Sequence, residues 1–199
     1  MLILALDTAT EAATVAVVRD GKVLGERETT AGRVLVALEE LLTEAAIAPP
    51  EAERIVVGRG PGRYTSLRMG LVTARALAFS VGAELIGVST LDALAAEAAG
   101  AIPMIDARRR EVFVLDGGPV CVRPEDLRIV PEGRYVGDGA CRYRSLLEAA
   151  GATVPPDDDP AHTPWARHHA LLVDSAGGPA EPIYLRAPDA DQTIARTAG

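Results

Sequence analysis

Lysine is nearly absent from this sequence: Lys22 is the only one among 199 residues, and every other basic side chain is arginine. We read that bias as genomic composition rather than as a site. Histidine is scarce too, with His162, His168 and His169 near the C-terminus. The last two are neighbours that point apart on a helix, and no acidic residue stands at ligand spacing. A zinc peptidase, which needs clustered ligands as in HExxH, is therefore not expected. Cysteine occurs twice, at Cys121 and Cys141, without CxxC spacing and without a supporting His-Asp pattern. That gives no disulfide framework and no thiol nucleophile, and leaves both as small core residues in a reduced cytoplasm. Aromatic residues make up only 4%, so the core must be built from Ala, Val, Leu and Ile.

A long apolar run is missing as well. The opening MLILALDTAT has no basic leader, and Asp7 interrupts it, so neither a signal peptide nor a membrane span is expected. The expected location is the cytoplasm. Lys+Arg total 20 against 28 for Asp+Glu, a net charge of −8, which repels phosphate backbones. Independent binding to nucleic acid is not expected. What is present is a 48% hydrophobic chain long enough to bury one large core or two small ones.

The order of elements is legible in the patterning. Residues 2–6 read as a strand buried on both faces, and 14–18 as a second. Asp20-Gly21 signals a hairpin into a third strand at 22–29. Leu35, Leu38 and Leu42 then recur at helical spacing within 33–47, and Pro49-Pro50 stops that helix. Residues 54–58 and 84–88 read as strands, and 66–81 and 90–99 as helices. Around Ala101 the pattern restarts: LALDTAT is echoed by PMIDARR, then come strands at 111–115 and 120–122. A short helix is expected near Pro124, a strand at Tyr135-Val136 and a helix at 142–150. Thr163 and Pro164 are read as cap and first residue of a helix to 173, with a short extended segment at 182–190. The boundaries expected are residues 1–100 for an N-terminal lobe, 101–190 for a smaller second lobe and 191–199 for a frayed tail. Three strands in a row followed by alternating elements imply mixed sheets with helices on their faces.

One stretch decides between chemistry and packing: GRGPGRYTSLRMG, residues 58–70. Glycines between a strand and a helix often gather backbone amides round a phosphate. Gly58, Gly60 and Gly62 lack the Lys-Ser/Thr ending of a P-loop, so a Walker site is not expected. The helix behind them is more informative. Ser66, Gly70, Ala74 and Ala78 form one row of small side chains, flanked by Leu67 and Leu71, which allows close approach of another helix. The alternative is core packing alone.

Five segments in order, ILALDTATEAATVAV, GPGRYTSLRMG, GVSTLDALA, DARRREVF and PIYLRAPDA, are similar to the TsaB (YeaZ) family of tRNA threonylcarbamoyladenosine biosynthesis proteins. The loop departs from the family's usual GPGSFTGLRIG at Arg63, Tyr64, Ser66 and Met69, and the family's frequent histidine before the first helix is missing. The resemblance implies an α/β, two-lobed actin-like ATPase (ribonuclease H-like) fold with the second lobe reduced. In active members of that fold, the turn after each lobe's first strand holds nucleotide phosphate. Here those turns are Asp7-Thr8-Ala9-Thr10 and Asp106-Ala107-Arg108-Arg109-Arg110, neither with glycine. We therefore read Asp7, Thr8, Gly60, Gly62 and Asp106 as turn residues or a vestigial phosphate site, with no metal and no cofactor of its own.

The resemblance further implies a non-catalytic subunit that supports the catalytic paralogue TsaD, which modifies adenosine 37 of tRNA, with a small ATPase, TsaE, joining the assembly. Transfer RNA is then met only indirectly. The expected docking face is Leu35, Leu38, Leu42, Ser66, Leu67, Gly70, Leu71, Ala74 and Ala78. A homodimer of the isolated chain is expected through the same face, which would suit an interface of roughly 1,600 Å². The rival reading is a stand-alone ATP-dependent small-molecule kinase or ATPase of the same fold. Arg108 to Arg110 are read as a solvated hairpin turn, with contact to RNA phosphate as the alternative.

Overall fold

The computed structural model describes residues 1–186. The expected tail at 191–199, and the end of the expected extended segment from residue 187, lie outside the described residues.

Two sheets carry the fold. In the first, β1 (Leu2–Asp7) pairs antiparallel with β2 (Ala13–Arg19), which pairs with β3 (Lys22–Thr29). On its other side β1 runs parallel to β4 (Arg54–Gly58), and β4 parallel to β5 (Glu84–Val88). The turn between β2 and β3 falls at Asp20-Gly21, with φ of 51° and 76°, the left-handed pair that a two-residue hairpin demands. Strand alternation sorts β1 cleanly. Leu2, Leu4 and Leu6 enter one cluster with α1 (Val34–Glu44) and α2 (Tyr64–Val81). Ile3 and Ala5 enter a second. Leu4 and Leu6 are fully buried, and each such burial contributes about 1.5–3 kcal/mol.

The second sheet repeats the plan with one strand fewer. After α3 (Thr90–Glu97), β6 (Ile102–Arg108) pairs antiparallel with β7 (Glu111–Leu115), and β7 with β8 (Pro119–Val122). The parallel neighbour of β6 is β9 (Tyr135–Val136). Residues 124–126 form a single 3-10 turn rather than a helix. The helix expected at 142–150 is two pieces, α4 (Asp138–Arg142) and α5 (Arg144–Ala149), broken at Tyr143. The last helix, α6 (Ala166–Ala176), starts later than Thr163-Pro164 implied, with Trp165 at its cap position.

Packing does not respect a boundary at residue 100. Leu91 and Leu94 of α3 pack with Ile105 and Phe113 on the second sheet. Conversely α6 returns to the first sheet, laying Ala166, Ala170 and Val173 against Ile3, Ala5 and Val56. Gly178 beyond it bonds to Gly87 and closes the outer edge of β5. Each sheet is therefore covered in part by a helix from the other half of the chain.

Candidate functional site

The turn after β1 is filled by protein. Asp7 is fully buried. Its Oδ1 accepts from the Ala9 amide at 2.6 Å, and its Oδ2 from the Thr90 hydroxyl at 2.7 Å. His169 of α6, also fully buried, brings Nε2 within 2.8 Å of the same Oδ2, off the line that a hydrogen bond requires. Gly58 presses against the carboxylate so closely that a Cβ there would fall 1.8 Å from Oδ2. The carboxylate is thus closed in by Ala9, Gly58, Thr90 and His169.

The glycine loop lies on the same turn. A Cβ at Gly62 would meet the Ala9 carbonyl oxygen at 2.3 Å. The Arg63 amide donates to that carbonyl at 2.7 Å, and the Gly60 amide donates to the Thr90 hydroxyl at 3.1 Å. Thus Gly58 and Gly62 serve here for protein-to-protein contact, and the Gly60 and Arg63 amides already have partners. Thr8 is clamped as well: its hydroxyl donates to the Ser66 carbonyl at 2.6 Å.

The turn after β6 follows the same scheme. Asp106, almost fully buried, accepts from the Arg108 amide at 3.0 Å and from Arg142 Nη1 at 3.0 Å. Its own amide donates to Asp138 at 2.9 Å, and burial pushes the Asp138 carboxyl above its ordinary range. Arg108, Arg109 and Arg110 take φ of 62°, 53° and 62°, a left-handed run that side chains rarely adopt. Between the two turns lies a cleft of about 660 Å³. Glu11 spans its mouth, its Oε1 meeting Arg63 Nη1 at 3.0 Å and Arg108 Nη2 at 2.9 Å.

The small-residue row on α2 faces inward, which corrects the expected docking face. Gly70, Ala74 and Ala78 are buried with Leu67 and Leu71, and so are Leu38 and Leu42 of α1. The reason is steric: a Cβ at Gly70 would stand 2.2 Å from Thr8 Oγ1. The small side chains let α2 approach its own sheet, not a second protein. Ser66 is half-buried beneath Thr8, and of the nine expected residues only Leu35 is exposed, at 51%. The outward face of the same two helices carries a different apolar set. It comprises Leu35 and Val36 on α1 with Met69, Val72 (64% exposed) and Phe79 (91%) on α2. Met69, Val72, Ala76 and Phe79 recur at helical spacing, a signal present in the sequence but overshadowed by the row behind it.

Sequence spacing found no acid beside the histidines; the fold supplies two from afar. His168 Nε2 lies 2.5 Å from Glu97, which also takes Arg167, while His169 meets Asp7. Among the described residues, no group of three or more His, Cys, Asp or Glu is placed to hold a metal. Also among them, no helix is long and apolar enough to cross a membrane.

Two sheets built to one plan, with paired Asp-bearing turns facing a common cleft, define an actin-like, ribonuclease H-like α/β protein. The family model for TsaD, tRNA N6-adenosine threonylcarbamoyltransferase, matches residues 29–137. An uncharacterized protein of Mycobacterium tuberculosis is 35% identical, across 94% of this chain and 93% of its own length. The TsaB protein of Escherichia coli, a tRNA threonylcarbamoyladenosine biosynthesis protein, is 39% identical over 57% of this chain and 53% of its own. The structure of YeaZ from Pseudomonas aeruginosa superposes with a TM-score of 0.77 at 28% identity, covering 92% of this chain and 99% of that one. The chain belongs to the TsaB (YeaZ) family.

Proposed function

We propose that the chain serves tRNA threonylcarbamoyladenosine biosynthesis as a non-catalytic subunit in the cytoplasm. It docks a TsaD-type catalytic paralogue through the outward stripe of α1 and α2. A TsaE-type ATPase joins the assembly, and tRNA is met through the partners. The observation that carries this reading is a pairing of two facts. The aspartates of the strand-end turns are engaged by protein, Asp7 by Thr90 with Gly58 pressed against it and Asp106 by Arg142, which supports a non-catalytic reading. Beside them, large apolar side chains up to Phe79 at 91% exposure stand in solvent on one helix face, as on a surface that another protein covers.

Co-purification with the TsaD-type paralogue of the same cell tests it. Val72→Asp and Phe79→Asp alter only exposed positions, so the chain should keep its thermal midpoint and lose the paralogue. A complex that survives both changes would refute the assigned face. Turnover of ATP by the purified chain alone would refute the non-catalytic role.

A further inference from the structure

We propose that the β6–β7 hairpin, Arg108 to Arg110, is a phosphate-contact element that touches the RNA backbone once the assembly holds its tRNA. The inference rests on membership of that assembly. It gives this chain a contact of its own with a substrate that the partners bring.

The hairpin turns on Arg109 and Arg110, between the cross-strand pair Arg108 and Glu111. Arg108, Arg109 and Arg110 have φ of 62°, 53° and 62°. A two-residue turn of this hand is ordinarily built from Asn-Gly, because glycine enters the left-handed region at no steric cost. Here the same positions carry exposed arginines. A costly backbone conformation held at a loop tip points to a use for the side chains it presents.

The surroundings add charge of the same sign. Glu11 is shared between Arg63 and Arg108, and Asp106 between Arg108 and Arg142. Asp138 is turned onto the Asp106 amide, and Glu111 is taken by Arg186. Arg110 has no ion pair among the described residues. Around the hairpin, Arg63, Arg108, Arg109, Arg110 and Arg142 thus outnumber Glu11, Asp106 and Asp138. In a chain of net charge −8 this is a local reversal of sign. The overall charge keeps the isolated chain from holding RNA, so the contact forms only when the partners hold the tRNA in place.

The lack of an apolar centre selects the occupant. Residues 101–123 and 135–149 contribute none of the large apolar side chains that the protein exposes. A protein interface is built round such a centre, whereas a phosphodiester backbone is gripped by guanidiniums alone, two donors at a time.

The test is tRNA binding by the complex of the full-length chain with the TsaD-type paralogue, across a salt series. Arg109→Asn/Arg110→Gly removes both tip charges and supplies the residues that the turn favours, so the thermal midpoint should not fall. This variant complex should bind tRNA about tenfold more weakly at 0.1 M salt. Its slope of log K against log salt should be shallower by about 1.5, as for two lost phosphate contacts. Arg110→Gly alone should change the slope by about half as much. Arg109→Lys/Arg110→Lys should keep the wild-type slope, which a purely structural role for the turn does not require. Unchanged affinity and slope in the Asn/Gly variant would overturn the inference and leave the docking role standing. So would weaker association with the paralogue before any RNA is added, with tRNA binding per complex unaltered, which would assign an acidic protein instead. Tripolyphosphate bound by the isolated chain and lost in the variant would assign a small-phosphate site, and would also overturn it. Binding of tRNA by the paralogue that is indifferent to adding this chain, with no complex formed, would overturn both this inference and the docking role.

Discussion

Replacing Gly70 by alanine separates the two roles open to the small-residue row. In an exposed helix the change is favourable, because alanine exceeds glycine in helix propensity by roughly 1 kcal/mol. Here the new methyl would stand 2.2 Å from Thr8 Oγ1 and 3.2 Å from Thr8 Cβ, inside a fully buried contact. Thr8 must move, and its hydroxyl then leaves the Ser66 carbonyl it reaches at 2.6 Å. An unsatisfied buried polar group costs about 1–3 kcal/mol, and overpacking adds a similar amount. Set against the propensity gain, the variant should lose about 1–5 kcal/mol. Equilibrium urea unfolding reads this as a lower midpoint at unchanged slope. Adding Thr8→Ala removes the obstructing hydroxyl, so the two changes together should cost less than their separate effects imply. A Gly70→Ala protein more stable than wild type would show that this face of α2 does not abut the turn after β1.

Further expectations concern the strand-end turns and the second half. Gly58→Ala drives a methyl into the Asp7 carboxylate, 1.8 Å away, and should cost more than about 3 kcal/mol in urea unfolding. Arg110→Gly relieves a left-handed φ of 62° in the β6–β7 hairpin and should raise stability by about 0.5–1 kcal/mol. Burial raises the Asp138 carboxyl in the folded state, so the native protein binds the extra proton. Stability from this group falls as pH rises from its unfolded value toward the raised one, and the penalty is complete above that. Asp138→Asn should therefore gain stability at pH 7, and the gain should vanish below about pH 4 in a pH series of melts. Burial, with Asp157 next, pushes the Cys141 thiol up to about 11. Its alkylation by iodoacetamide at pH 8 should run about 100-fold slower than that of a free cysteine; equal rates would contradict the burial.

Much of the fold was legible because its signals are local. Asp20-Gly21 specified a hairpin, and RIVVG between turn residues specified a buried strand. The plan of each sheet followed from an apolar strand ending in Asp. Which helix covers which sheet was not legible, since the exchange of α3 and α6 depends on contacts between distant segments. The same holds for His169, whose neighbour Asp7 is 162 positions away. The docking face failed for a different reason. The α2 helix is apolar on two sides, and periodicity shows that a stripe exists without showing which one meets the sheet. Gly70 reads equally well as room for a partner or room for Thr8; only the position of the turn after β1 decides. The glycine loop posed the same ambiguity, and a Cβ at Gly58 or Gly62 would collide with Asp7 or Ala9.

The central claim is that this protein acts by being covered, along one side of α2, by another chain. Hydrogen exchange of the complex with the TsaD-type paralogue measures this segment by segment. The account predicts new protection over residues 68–80 and around Leu35, with little change in the turns after β1 and β6. Protection confined to those turns and the cleft between them, with α2 exchanging as in the free chain, would contradict it.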